Sequence, residues 1–394
     1  MRTRRALPIA ATLTVAAVLS AAFLLSSCSA REGAAAPKPE GYRWRIGIVF
    51  DIGGKDDRSF NQSAYEGLKR LATDFRGQIA DDPEGGDHGD EVELRWLESK
   101  LEGADREQLL RSLADQGYDL VFGVGFLFAD SIFRVANDYP RTTFVLIDGN
   151  IPDLDEESNL ICVSFAEEEG SFLAGVLAAL LVEADSDPKV GFLGGMDMTL
   201  IRKFDAGFHA GAAYASPVMR QQGRVLSAYI GKDGSAFNDP GRASILAESM
   251  YAAGAGVIYH AAGASGAGLF STAARLGKRA IGVDSDQGLA YASSGDPAER
   301  DASRFILSSV LKRVDNAVYA LSEELMRRGS IEGGYRVFGL ADGGVALARN
   351  DANAEALAPY DEKLESIARR IVAGEIRVPF DMESLQDFLE DLRR

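Results

Sequence analysis

From Arg45 onward, short runs of β-branched and other apolar residues alternate with stretches whose apolar positions recur every three to four residues. That rhythm predicts parallel strands joined by crossover helices. The predicted strands are "RIGIVFD", "EVELRWL", "DLVFGVG", "TTFVLIDG", "NLICVSF", "KVGFLGG", "RVLSAYIG", "GVIYHAAG" and "RAIGVDSD", with helices including 61–74, 105–116, 167–183, 201–215 and 240–253 between them. Many of these strands end in Gly or Asp, which permits a tight turn and leaves polar groups at the carboxyl edge of the sheet, where open α/β sheets bind ligands.

The pattern begins again after "IPDLDEESN", which predicts two similar α/β lobes, one from about 42 to 152 and another from about 160 to 279. The following segment, "ASRFILSSVLKRVDNAVYALSEELMRRG", carries apolar residues at helical spacing and is expected to return to the first lobe. "GYRVFGLADGGVALA" reads as a hairpin turning at Asp342, Gly343 and Gly344, and the C-terminal stretch as two helices around a Val-Pro break.

The N-terminus changes the picture. Arg2, Arg4 and Arg5 precede the apolar run "ALPIAATLTVAAVLSAAFLL", which ends at "LSSC", the pattern of an export leader. Leu25, Ser26 and Ser27 before Cys28 resemble a bacterial lipobox, so residues 1–27 are expected to be a lipoprotein signal peptide and Cys28 the lipidated first residue. Residues 28–41, rich in Ala, Pro and charge, read as a tether. The protein is then expected at a cell membrane, held by lipid and facing the periplasm or the cell exterior.

The formal charge is −17, with three arginines in the leader. Such a surface repels phosphate backbones and anionic headgroups, which disfavours nucleic acid as a partner. Once Cys28 is lipidated, Cys162 is the remaining cysteine and has no partner for an intramolecular disulfide.

Catalytic patterns are weak. The first strand is followed by "DIGGKDDRSF" instead of a G-x-G-x-x-G fingerprint, and the acid at its tip would repel a pyrophosphate. "HAAGASGAG" approaches the G-x-S-x-G elbow, but Ala267 stands where the second glycine belongs. His88, His209 and His260 are the three histidines, and none has a partner at metal-ligand spacing. The acidic stretch 81–91 lacks the alternation of a calcium loop and reads as a solvated surface segment. Neither a metal nor a cofactor is expected.

A binding site is better supported. Strand tips and helix mouths collect Asp51, Phe60, Asn61, Asp130, Phe204, Asp239, Gly263 and Asp284. Carboxylates accept hydrogen bonds from hydroxyls and ring N–H groups, an asparagine donates and accepts, and two phenylalanines can sandwich a flat ring. The set suits a neutral, hydroxyl-bearing aromatic ligand such as a nucleoside. Spacing alone equally permits Phe60 and Phe204 as ordinary core, and Asp51, Asn61 and Asp284 as helix caps.

At these residues the chain resembles the basic membrane protein family of ABC-importer substrate-binding lipoproteins. The motifs are "VFDIGGKDDRSFNQSAYEGL", "GVGFLFAD", "FAEEEGSFLAG", "VGFLGGMD" with "IRKFDAGFHAGA", "SAFNDPGRA", "VIYHAAGASGAGLF", "IGVDSDQ", "SSVLKRVDNAVY" and "GLADGGVAL", in this order over nearly the whole mature chain. The resemblance implies the type I periplasmic-binding-protein fold, with two doubly wound lobes joined by three crossovers and closing on ligand by hinge motion. It assigns 42–152 plus about 282–330 to the N-terminal lobe and 153–281 plus about 331–394 to the C-terminal lobe.

It further implies that Phe60 and Phe204 stack on a base, with Phe208 the competitor of Phe204, and that Asn61 and Asp130 read the base's polar edge. Asp239, Gly263 and Asp284 would meet ribose, while Asp51 supports the first loop or touches ligand. The implied partners are a small nucleoside and permease and ATPase subunits on other chains, with the receptor itself monomeric. "GASGAG" departs from the family's usual Gly-Thr-Gly-Asn loop, which bears on ribose and purine selectivity. A receptor for a sugar or signalling molecule, a nucleoside-cleaving enzyme and a surface antigen or adhesin stand as alternatives.

Overall fold

A computed structural model describes residues 42–80, 91–100 and 103–394. The expected signal peptide, Cys28, the tether, His88 and all of the acidic stretch 81–91 but Glu91 lie outside the described residues.

Parallel strands buried on both faces form the centre of two sheets, which is why they appear in the sequence as near-continuous apolar runs. The first sheet has seven strands in the order β12-β6-β5-β4-β1-β3-β2. They are β1 (Trp44–Phe50), β2 (Gln78–Ile79), β3 (Val92–Glu98), β4 (Leu120–Val124), β5 (Thr143–Ile147), β6 (Leu160–Phe165) and β12 (Gly334–Phe338), all paired in parallel. The second has six strands in the order β13-β11-β10-β9-β7-β8. These are β7 (Val190–Met196), β8 (Val225–Gly231), β9 (Val257–Ala261), β10 (Arg279–Asp284), β11 (Ile306–Lys312) and β13 (Val345–Leu347), the last antiparallel to β11. The architecture is the expected α/β fold of two doubly wound lobes, and the chain passes between the sheets after β6, after β11 and between β12 and β13.

The backbone pairing moves the expected lobe boundaries. Strand β6, expected in the second lobe, continues the first sheet beside β5, with Phe144 opposite Leu160, and β12 adds outside it, with Gly334 opposite Ile161. The end of β10 and all of β11, expected with the first lobe, belong to the second sheet, where they pair with each other. The segment expected as one long helix therefore splits into strand β11 and the helix Val314–Arg328, and the latter packs against the helix Phe60–Asp74 of the first lobe. "GYRVFGLADGGVALA" is not a hairpin: its two strands join different sheets and form the third crossover. The C-terminal pair of helices is present, at Asp361–Val372 and Met382–Asp391.

The helices Glu167–Leu181 and Thr199–Ala215 pack at backbone contact distance. A methyl group at Gly211 would lie 1.9 Å from the Phe172 carbonyl oxygen, and one at Gly175 would lie 2.0 Å from that of Phe208. Glycine at these positions lets the second helix approach closely and so sets the depth at which Phe204 enters the cleft. No described helix is long and apolar enough to cross a membrane.

Candidate functional site

The carboxyl ends of both sheets face one cleft, whose empty volume, including its solvent-open part, is about 870 Å³. From the first lobe it is lined by Asp51, Asp57, Phe60, Asn61, Phe126 and Asp148. From the second it is lined by Phe204, Phe237, Gly263, Asp284 and Lys312, with small and aliphatic residues between them. Six of the eight expected residues therefore meet here.

Asp51 directly follows β1 and is buried. Its Oδ1 accepts from the Arg106 guanidinium, at 2.7 and 2.9 Å, and from the Ile52 N–H. These bonds fix the turn that carries the next residues. Asp57 then performs a task usually left to an N-cap side chain: its carboxylate accepts the N–H groups of Ser59, Asn61 and Gln62 at the mouth of the helix Phe60–Asp74. Burial pushes the Asp57 carboxyl above its ordinary range against the pull of those three bonds. The N-cap residue itself, Ser59, is thereby released from capping, and its hydroxyl donates to Asp284 Oδ2 on the other lobe at 2.5 Å.

Phe60 and Asn61, the first residues of that helix, face the cleft. The Asn61 side chain is 3% exposed, and its Oδ1 has no hydrogen-bond partner among the described residues. A buried carbonyl left so costs about 1–3 kcal/mol, which a ligand N–H or O–H would recover.

The floor of the cleft is a charge cluster. Lys312, at the end of β11, pairs with Asp148 and, at 2.9 Å, with Glu167. Its ammonium also lies 5.2 Å from the Phe60 ring centroid and 5.5 Å from that of Phe204. Burial works against this charge, yet Asp148, Glu167 and Asp284 carry the lysine's pKa above its ordinary value. Glu167 is held below the usual carboxylate range because Lys312 and Lys203 outweigh its own burial. Lys203 donates to Glu167 at 2.6 Å and to the Phe165 carbonyl, extending the cluster through the first crossover.

Burial pushes the Asp148 carboxyl upward despite Lys312, and that of Asp284 up to about 6 despite Lys312 and the Ser59 hydroxyl. Both residues sit at strand tips in the left-handed region, with φ of 66° and 64°. Such backbone costs on the order of 1–3 kcal/mol and concentrates at ligand sites.

Two expected residues lie elsewhere. Asp130 is exposed in the first turn of the helix Ala129–Asp138 and does not line the cleft. Asp239 caps the helix Pro240–Ala252, accepting the Arg242 N–H at 2.8 Å, and is exposed. Phe208 packs 5.4 Å from Tyr259 inside the second core, while Phe204, one turn earlier, lines the cleft. Reasoning from the sequence missed Lys312, Asp148 and the rim pair Phe126 and Phe237, whose rings meet edge-on across the lobes at 6.4 Å. The acid ending "TTFVLIDG" was the available signal for Asp148.

Residues 45–381 match the family model for PnrA-like ABC transporter substrate-binding proteins, also called Bmp. The chain is 34% identical over 346 residues to the "CD4+ T-cell-stimulating antigen" of Listeria monocytogenes, covering 85% of this chain and 87% of that protein. It is 30% identical over 373 residues to the "ABC transporter nucleoside-binding protein BmpA" of Lactococcus lactis, covering 92% and 97%. A solved ABC transporter solute-binding protein from Aeropyrum pernix superposes with a TM-score of 0.69 at 26% identity, covering 89% of this chain and 97% of the other.

Proposed function

The chain belongs to the PnrA-like family of ABC transporter substrate-binding proteins, and from that premise we propose that it binds a nucleoside between its two lobes and delivers it to a permease. In this reading the faces of the base stack on Phe60 and Phe204, and the unpartnered Asn61 oxygen takes an N–H of its polar edge. The ribose hydroxyls donate to Asp284 and Asp148 and accept from Lys312, while Gly263 leaves room for close approach. Asp51 holds the first loop in place.

The observation that carries the proposal is that Phe60 from one lobe and Phe204 from the other flank the same buried ammonium. The cleft thus offers flat apolar walls above a floor that matches hydroxyl groups. Carboxylates outnumber that single cleft ammonium, so an uncharged sugar fits better than a phosphorylated one.

Stacking contributes about 0.5–1.5 kcal/mol beyond area burial, and each charge-assisted hydrogen bond about 1.5–3 kcal/mol. Together they reach the roughly 8 kcal/mol of a micromolar complex after the costs of ordering are subtracted. Ligand contacts on both lobes favour the closed form, which is the form a permease would recognise. Cys28 would hold the receptor to the membrane by lipid, with the 28–41 segment as tether, and the receptor would act as a monomer.

A thermal-shift panel of nucleosides, free bases and ribose on the purified protein tests the proposal. Stabilisation by nucleosides well beyond that by base or ribose alone is expected. Equal stabilisation by ribose would instead favour a sugar receptor.

A further inference from the structure

Gln287, at the start of the helix Gln287–Ala292, is buried and does not line the ligand cleft. Its side-chain orientation follows from its partners. The atom 2.9 Å from the Val283 N–H has to be an acceptor, so it is Oε1. The same oxygen lies 3.0 Å from His260 Nε2, which therefore carries the imidazole proton. His260 is fully buried on β9, with its ring edge-on to Phe270 at 5.1 Å, and burial lowers its pKa to about 4, so it is neutral. With Oε1 committed to two donors on its own lobe, the Gln287 amide N–H₂ has to face outward. There Nε2 donates to the main-chain carbonyl of Arg58 on the opposite lobe at 3.1 Å.

That carbonyl also accepts from Ser285 Oγ at 2.9 Å. The backbone of Arg58 lies in the left-handed region, with φ of 55°, and its guanidinium pairs with Glu299 of the second lobe. The carbonyl of one residue in the left-handed region is thus captured by two donors of the opposite lobe, of which the Gln287 amide is already oriented within its own lobe.

We propose that Gln287, oriented by His260, is a positioning residue for cleft closure: with Ser285 it grips the Arg58 carbonyl and adds to the stability of the closed form, in the ligand-free protein as in the liganded one. The proposal rests on the reading of this cleft as one that closes, and it is independent of what the ligand is. Gln287 and Ser285 do not themselves line the cleft, although their neighbours Val283 and Asp284 do, so their loss is expected to act chiefly on the rate of opening. The partly exposed Arg58–Glu299 pair contributes little beside it, being screened by solvent.

Nitroxides on Cys residues introduced at exposed Asn137 and Lys232, one per lobe, report the interlobe distance in the ligand-free protein by pulsed electron resonance. Gln287→Glu keeps the shape and the two acceptor bonds and, measured at pH 8.5 to favour the ionised carboxylate, turns an oxygen without a proton toward the Arg58 carbonyl. It is expected to shift the distance distribution toward the open form and to speed adenosine dissociation about tenfold, with association unchanged. Ser285→Ala, a milder change on the surface of the same contact, is expected to shift it in the same direction by less. A merely structural role would lower the melting temperature without moving the distance. Distance distributions in both variants identical to wild type would overturn the proposal, whereas absence of adenosine binding with a shifted distribution would overturn only the nucleoside reading.

Discussion

The hydroxyl of Ser59, at the helix mouth of the first lobe, donates to the carboxylate of Asp284, at a strand tip of the second, across 2.5 Å. The bond exists because Asp57 has taken over the capping of that helix mouth. Local helix chemistry and the closure of the cleft are therefore joined in three consecutive residues, Asp57 to Ser59.

Asp284→Asn is expected to stabilise the ligand-free protein at pH 7.5 while weakening ligand binding. Burial raises the carboxyl to about 6, against an ordinary 3.8, so the folded state holds that proton more tightly than the unfolded chain. The cost of the ionised form is present above pH 6 and is relieved as the pH falls toward 4. Asparagine tolerates the left-handed backbone and can still accept from Ser59. The gain is on the order of 2 kcal/mol at pH 7.5, shrinking by pH 4.5, and is read by urea denaturation at the two pH values.

Lys312→Met is expected to destabilise the fold by about 3–5 kcal/mol, because Asp148 and Glu167 would remain buried with less compensation. Adding Asp148→Asn should recover part of the loss. A double variant no more stable than the single one, in the same urea titration, would argue against the cluster as the source.

Gly211→Ala places a methyl group against the Phe172 carbonyl and is expected to cost about 1–3 kcal/mol or more. Gly295→Ala, with nothing within 4 Å of the new carbon, serves as the control and is expected to be nearly neutral. Differential scanning calorimetry separates the two.

The legible part of the fold was the part with an unambiguous period. Strands such as "RIGIVFD" and "KVGFLGG" are buried on both faces and announce themselves as apolar runs. β11 did not: Ile306, Leu307, Val310 and Leu311 fit a helix as well as a strand, and only pairing with β10 and β13 decides between them. That ambiguity also hid Lys312, which inside a helix has no reason to face a cleft and at a strand tip has every reason. Phe60, Asn61 and Asp284 were legible because a strand end or a helix mouth fixes where they point. Asp130 and Asp239 occupy similar places in the sequence, but one is solvent-exposed and the other's carboxylate is taken by a helix N-terminus, which no spacing rule distinguishes.

Isothermal titration of the purified protein and its Phe60→Ala variant with adenosine, inosine, uridine and ribose tests the nucleoside receptor most directly. Phe60 is half-buried, so its removal spares the core, unlike that of the buried Phe204. Saturable one-to-one binding of a nucleoside, absent with ribose and weakened about ten- to a hundredfold by Phe60→Ala, is the expected result. No heat from any nucleoside in folded protein stripped of bound ligand, or equal binding by the wild type and Phe60→Ala, would contradict it.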